Sequence, residues 1–225
     1  MNILNNGLIF EILGNEVLII GHTKEKIEEI VIPSQIDGYP VTNIGYYAFC
    51  NCKSLTNITI PNSVTNIDDY AFCNCKKLTN VTIGENVRNI CKCAFLNCTS
   101  LTKLVIPNRV IFVDDNALKG CSNIGQIIIG ASITDISFLE CIKNNLESIE
   151  VDPKNEKYLS FNDALYYCDD HKHFSPILLI QYPLSKKDKE CIVPIYTDCI
   201  KKNAFEGAKY LENICFENKW TKWID

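Results

Sequence analysis

Basic charge is the first thing this sequence lacks. Lys and Arg number 22 against 27 Asp and Glu, giving a net charge of −5 and a pI near 5.3. No basic stripe is available to follow a phosphate backbone, so nucleic acid is not an expected partner. Anionic membrane surfaces are disfavoured on the same ground. Long apolar runs are missing too. Nothing approaches the roughly 20 residues that span a bilayer, so no membrane insertion is expected. The N-terminus, MNILNNGLIFEILGNEVLII, has no basic segment, and Asn5, Asn6, Gly7, Glu11 and Glu16 interrupt its apolar residues. It does not read as a secretory signal, and the expected location is the cytoplasm.

Histidine is scarce, three in 225 residues, which leaves few Cys–His pairs for nucleophilic catalysis. No G-x-S-x-G, Walker or G-x-G-x-x-G pattern occurs. Asp68/Asp69 and Asp114/Asp115 sit in turns between strands and form no recurrent acid pair. The chain is read as a non-enzyme with no catalytic residue, no metal and no cofactor.

Cysteine, by contrast, is abundant, with 13 residues. An odd count without an export signal favours reduced thiols. Their spacing is more informative than their number. Cys52, Cys75, Cys98 and Cys121 recur every 23 residues. Phe49, Phe72, Phe95 and Leu118 precede them by three, and Ala48, Ala71, Ala94 and Ala117 stand one residue earlier. Such periods mark stacked repeats. Each copy carries L-x-x-I-x-I closed by Pro or Gly: Leu55–Ile58–Ile60–Pro61, Leu78–Val81–Ile83–Gly84, Leu101–Leu104–Ile106–Pro107 and Ile124–Ile127–Ile129–Gly130. Ile27–Ile30–Ile32–Pro33 opens the series, and Leu146–Ile149–Val151, Cys191–Val193–Pro194 and Leu211–Ile214–Phe216 extend it.

The I-x-I alternation predicts a short strand with one buried face, ended by a residue that continues a ladder poorly. Pairs such as Val64/Ile67, Val87/Ile90 and Val110/Val113 predict a return segment on the opposite wall. The Ala-Phe pair then fills the far corner. One such coil cannot bury its apolar side alone, but stacked coils can. About eight rungs, about 4.8 Å apart, give a parallel sheet roughly 35 Å long.

The period breaks twice. Ile127 to Ile149 is 22 residues, with Phe138, Leu139 and Cys141 in place of the Ala-Phe corner. Ile149 to Cys191 is 42 residues, and the runs Ala164–Tyr167 and Ile177–Tyr182 flank a polar turn at Asp169–His173, as in a hairpin. The expected organisation is one domain over 1–225. It comprises a β-hairpin cap (1–26), repeats (27–151), a hairpin-like insertion (152–190), the last repeats (191–216) and a C-terminal cap (217–225). Trp220 and Trp223, three apart, suit one face of a short helical turn, read as a cap, with an exposed aromatic patch as the alternative.

Cys50/Cys52 and Cys73/Cys75 on adjacent rungs could place four thiols together, as in a zinc site, or pair Cys50 with Cys73 in a disulfide. Yet Leu96 and Lys119 replace the earlier member in later copies. A ladder of buried thiols acting as small hydrophobes is the preferred reading, and it extends to Cys91/Cys93. Cys168, His171 and His173 fall in the polar turn and are read as loop, with metal ligation as the alternative. His22 is expected to be solvated.

Outward positions of the strands offer the best candidate contact surface: Asn57, Thr59, Asn80, Thr82, Lys103, Val105, Gln126 and Ile128. They are mostly neutral and turn apolar toward Val105 and Ile128, which suits a protein or glycan partner better than a polyanion.

The run LTNITIPNSVTNIDDYAFCNC (Leu55–Cys75) resembles the BspA-like, or Treponema pallidum-type, leucine-rich repeat. GLIFEILGNEVLIIGHT (Gly7–Thr23) resembles the N-terminal hairpin of such domains, and IPSQIDGYPVTNIGYYAF (Ile32–Phe49) their first full repeat, five residues longer at QIDGYP. The resemblance implies a curved right-handed solenoid with one parallel sheet of about eight short strands, few or no long helices, and a concave face open to partners. It also covers the insertion, whose N-x-x-Y…LY…LI-x-YP pattern recurs in the family. Members are mostly surface or secreted proteins of bacteria and parasitic protists, implicated in adhesion and protein binding. The resemblance therefore implies a protein-interaction module, with cell-surface or secreted placement by non-classical export as the alternative to the cytoplasm. Two other readings stand beside it: a structural spacer without a specific ligand, and a metal- or redox-linked cysteine site. Oligomeric state is left open by the sequence.

Overall fold

The computed structural model describes residues 2–4, 6–23, 26–168, 177–217 and 219–224. Its L-x-x-I-x-I segments form one column of short strands: Glu29–Val31, Asn57–Thr59, Asn80–Thr82, Lys103–Val105, Gln126–Ile129, Ser148–Val151, Glu190–Val193 and Asn213–Phe216. Paired neighbours are parallel, and the central apolar residues face one another across rungs, as in Ile30↔Ile58↔Val81 and Leu104↔Ile127↔Ile149. The column is hydrogen-bonded in blocks of three, three and two strands.

The residues that close these strands are set by the next rung. A Cβ on Gly84 would stand 2.3 Å from the Pro61 carbonyl oxygen, and one on Gly130 2.3 Å from that of Pro107. Close backbone approach admits only glycine there, which explains the alternation Pro61, Gly84, Pro107, Gly130.

The return segments hydrogen-bond as well. Asn66–Ile67, Asn89–Ile90 and Phe112–Val113 stack in parallel upon Tyr39–Ile44, with Ile44↔Ile67↔Ile90↔Val113 in register. The N-terminal hairpin, Leu8–Leu13 with Glu16–His22, covers the first edge of this wall, because Glu16–His22 pairs in parallel with Tyr39–Ile44. The longer first repeat is a tight hairpin, Gln35–Ile36 against Tyr39–Ile44, turned by Asp37 and Gly38 at φ 51° and 83°.

At the far corner the Ala-Phe residues fill the core. Phe49, Phe72 and Phe95 are fully buried, with ring centroids 5.3 and 5.2 Å apart and planes within 10°. The amides of Phe49, Phe72 and Phe95 donate to the carbonyls of Ala71, Ala94 and Ala117, so backbone and rings step together. Asn51, Asn74 and Asn97 follow in the left-handed region (φ 64°, 59°, 58°), which asparagine tolerates. Asn74 and Asn97 donate Nδ2 to the Oδ1 of the preceding rung's asparagine.

Beyond Gly130 the return strand and corner give way to two 3₁₀ turns, Ser137–Cys141 and Lys143–Asn145. Phe138 and Leu139 are buried in place of the missing pair, while Cys141 is half-buried. The insertion is a three-stranded antiparallel meander, Tyr158–Phe161, Ala164–Tyr167 and Ile177–Gln181. The expected hairpin is present with one added strand; its polar turn, Asp169–His173, lies outside the described residues. Asn155, almost fully buried, anchors the meander by donating Nδ2 to the carbonyls of Gly130 and Ile133.

Ile177–Gln181 pairs in parallel with Thr197–Lys201, and that strand with Lys222–Ile224, which restores the return wall. The C-terminal tryptophans therefore do not share a helical turn. Trp223 lies in a strand opposite Ile200, 23 residues earlier, and its ring meets Phe205 edge-on at 6.1 Å. Repeat register overrides the i, i+3 spacing here.

Replacing Phe72 by Ala removes the middle ring of the stack without a neighbour able to fill the space. A loss of about 3–5 kcal/mol is expected in chemical denaturation, against about 0.5 kcal/mol or less for a surface control such as Lys76→Ala.

Candidate functional site

Strand alternation and rung register together place all eight candidate contact residues on the outer face of the long-strand column. Asn57 stands opposite Asn80, and Lys103 opposite Gln126, in one row. Thr59 and Thr82, then Val105 and Ile128, form a second row. The face continues at its ends with Glu29 and Val31, Ser148 and Glu150.

Its two halves differ in what the side chains do. Asn57 donates Nδ2 to Glu29 Oε1 at 2.9 Å, and Asn80 donates to Asn57 Oδ1 at 2.7 Å. These amides run along the column and brace it. In the other half, Val105 is 43% exposed, and Ile128 half-buried beside it. A shallow depression of about 290 Å³ borders this half, between Val105, Ile128 and Pro107 on one side and Glu150 and Pro153 on the other. An apolar floor rimmed by the acidic residues Glu85, Glu150 and Asp152 is a place for one apolar side chain of a partner to sit.

The thiols have a different role. Cys52, Cys75, Cys98 and Cys121 are buried. The last three donate Sγ–H to the carbonyls of Phe49, Phe72 and Phe95 at 3.1, 3.2 and 3.0 Å. A small residue that satisfies a backbone carbonyl is what this corner accepts. Hydrogen bonding to its neighbours and burial hold the Cys98 thiol above its ordinary pKa. Burial raises Cys50 and pushes Cys73 up to about 12.

His22 departs from the expectation of a solvated side chain. It is half-buried, its ring stacks on Phe49 (5.9 Å, 7°), and its Nε2 lies 2.8 Å from Cys52 Sγ. It thus heads both the aromatic stack and the thiol row. Among the described residues no three of His, Cys, Asp and Glu converge as metal ligands.

A surface cluster escaped the sequence reading. Tyr46, Tyr47 and Tyr70 meet on the outside of the corner, with Tyr46–Tyr47 edge-on at 4.2 Å and Tyr47–Tyr70 stacked at 4.9 Å. Tyr46 and Tyr47 are 61% and 44% exposed. The hydrogen bond with Tyr46 is the main cause that pushes the Tyr47 phenol up to about 12. The 23-residue step from Tyr47 to Tyr70 was the available signal.

The family model for the BspA type leucine rich repeat region matches residues 42–172, in six copies. Among solved structures, the chain is similar to the leucine-rich repeat protein of T. pallidum at 21% identity and a TM-score of 0.60. That alignment covers 99% of this chain and 86% of the other. It is also similar to a leucine-rich cell surface protein of Faecalibacterium prausnitzii (25% identity, TM-score 0.50, 99% and 72% covered). A third is the pneumococcal vaccine antigen PcpA (17% identity, TM-score 0.59, 98% and 66% covered). No curated protein matches the chain. These likenesses establish the solenoid fold.

The thiol geometry sets an expected outcome. The raised pKa of Cys50 and Cys73 means less thiolate at a given pH, so at pH 8 these two native thiols react with a disulfide reagent well below the rate of a free thiol, and faster as pH rises. In denaturant all 13 titrate, with no zinc released. Zinc release would restore the metal reading.

Proposed function

Because the chain belongs to the BspA-type leucine-rich repeat family, we propose that it is a protein-interaction module whose contact surface is the outer face of the long-strand column. The row Thr59, Thr82, Val105, Ile128, which changes from hydroxyl to apolar beside a shallow depression, carries this reading. Protein interfaces take their energy from a few apolar anchors seated in such recesses, ringed by polar contacts. Lys103 and Gln126 supply adaptable polar contacts next to the recess, while Asn57 and Asn80 hold the strands in register. The face works as the concave floor of the solenoid, the partner is a protein, and no catalytic step is involved. An adhesion role follows if the partner lies on another cell.

A glycan partner is the second reading, favoured by the exposed rings of Tyr46 and Tyr47, which suit packing against a sugar. Location belongs to the same proposal. Thirteen cysteines, several one rung apart, fit a reducing compartment such as the cytoplasm better than an oxidising one. Export to a cell surface is the alternative that the family suggests.

Proximity labelling in the source cell, followed by pull-down, identifies the partner. The double variant Val105→Arg/Gln126→Arg sets two charges beside the recess and should weaken capture at least about tenfold, with an unchanged circular dichroism spectrum. If the partner stays bound to this variant and is lost with Tyr46→Ser/Tyr47→Ser, the contact surface is the tyrosine corner instead.

A further inference from the structure

Among the described residues, the insertion interrupts the stack of coils and leaves a cavity. Buried apolar residues form two clusters: one running from Leu8 to Ile149 with Tyr158 and Leu165, the other from Ala164 to Ala204. The strand Ala164–Tyr167 is the wall between them, since Leu165 packs into the first cluster while Ala164 and Tyr166 pack into the second. On the side of the first cluster the insertion does not close fully on the 3₁₀ turn Ser137–Cys141. A cavity of about 480 Å³ remains between Ile136 and Leu139 on the turn and Leu165, Tyr167, Leu178 and Ile180 on the sheet.

We propose that this cavity is a binding site for a small anionic amphiphile, a single apolar chain with one carboxylate-like head. Three observations lead there. The size is within the range of about 300–1,000 Å³ that small-molecule sites occupy. The walls are mostly apolar, with Ser137, Gln181 and Asn203 as neutral polar members, and the Tyr158 hydroxyl is turned away to donate to the Thr134 carbonyl. The rim carries a cation: Lys201 lines the cavity and joins no ion pair among the described residues, whereas Glu140, the acidic lining residue, is held by Lys143 at 2.6 Å.

An extended peptide fits less well. Ala164–Tyr167 and Ile177–Gln181 are each paired on both sides within the five-stranded order, so the sheet offers no open edge under the cavity to satisfy a peptide backbone. An alkyl chain makes no such demand. A second depression shares Lys201 and Asn203 and extends past Phe205 to Trp223, which gives a longer chain somewhere to continue. The site is built from return-wall elements and so is independent of the proposed protein-binding face.

The test uses the whole chain with 1-anilinonaphthalene-8-sulfonate, an apolar anion, as probe. Native protein should enhance its emission, and excitation of the chain's two tryptophans, Trp220 and Trp223, should transfer energy to it. Decanoate should displace the probe at concentrations at least tenfold below those needed for decyltrimethylammonium. Lys201→Glu, at an exposed position, should erase that preference while decanol competes as before. Leu178→Glu, which sets a negative charge in the cavity, should abolish binding of probe and decanoate with the β-sheet circular dichroism retained. No enhancement by native protein, equal displacement by the cationic and anionic chains, or a full decanoate preference in Lys201→Glu would each overturn the proposal.

Discussion

Each coil of this chain buries its apolar stripe only by lying against another coil, and the 23-residue step decides what lies against what. Within the regular repeats each side chain therefore faces its own equivalent one rung away, at a distance of about 5 Å. Residue types that tolerate their own kind prosper under that rule. Phe49, Phe72 and Phe95 stack ring on ring, Asn51, Asn74 and Asn97 pass an amide hydrogen bond along the corner, and Asn80 does the same to Asn57 on the strand face. Like charges at this spacing repel by about 1 kcal/mol even in water, and more near the protein surface. Neutral rows are thus a requirement of stacking before they are a property of any binding surface.

That constraint separates architecture from function along the same face. Where the rows repeat, as at Asn57/Asn80 and Thr59/Thr82, the residues answer to the neighbouring rung. Where they change, at Lys103, Val105, Gln126 and Ile128, they are released from it, and the shallow depression begins there. The insertion is the same principle at larger scale. Its strands leave the 23-residue register, the buried core divides at Ala164–Tyr167, and a cavity opens at the seam. Aperiodic places in a periodic molecule are free to be specific.

The strand column was legible because a two-residue alternation and a fixed step are both visible in one dimension. Glycine after the strands was legible as a stop, but not as the only residue that fits beside Pro61 and Pro107. His22 was missed because it precedes Phe49 by 27 residues, not 23, so a search for period finds nothing at its position. Its role as the first ring of the stack exists only once the hairpin folds over the return wall. The tryptophans were read by the wrong period: i, i+3 suits a helix, yet Trp223 also lies one repeat after Ile200, and pairing with an existing strand edge outweighs a short isolated turn. The cavity had no sequence signal, since it is made by two segments failing to meet.

Excision of one whole rung tests the stacking most directly. Removing residues 81–103 joins Asn80 to Leu104 and leaves every remaining position facing its equivalent, whereas removing residues 81–92 shifts the strand segments against the corners. The whole-rung deletion should unfold in one cooperative transition, with its β-sheet circular dichroism kept and its denaturant slope reduced in proportion to length. The half-rung deletion should not fold. An unfolded whole-rung variant, or a half-rung variant that folds as well as it does, would contradict the account.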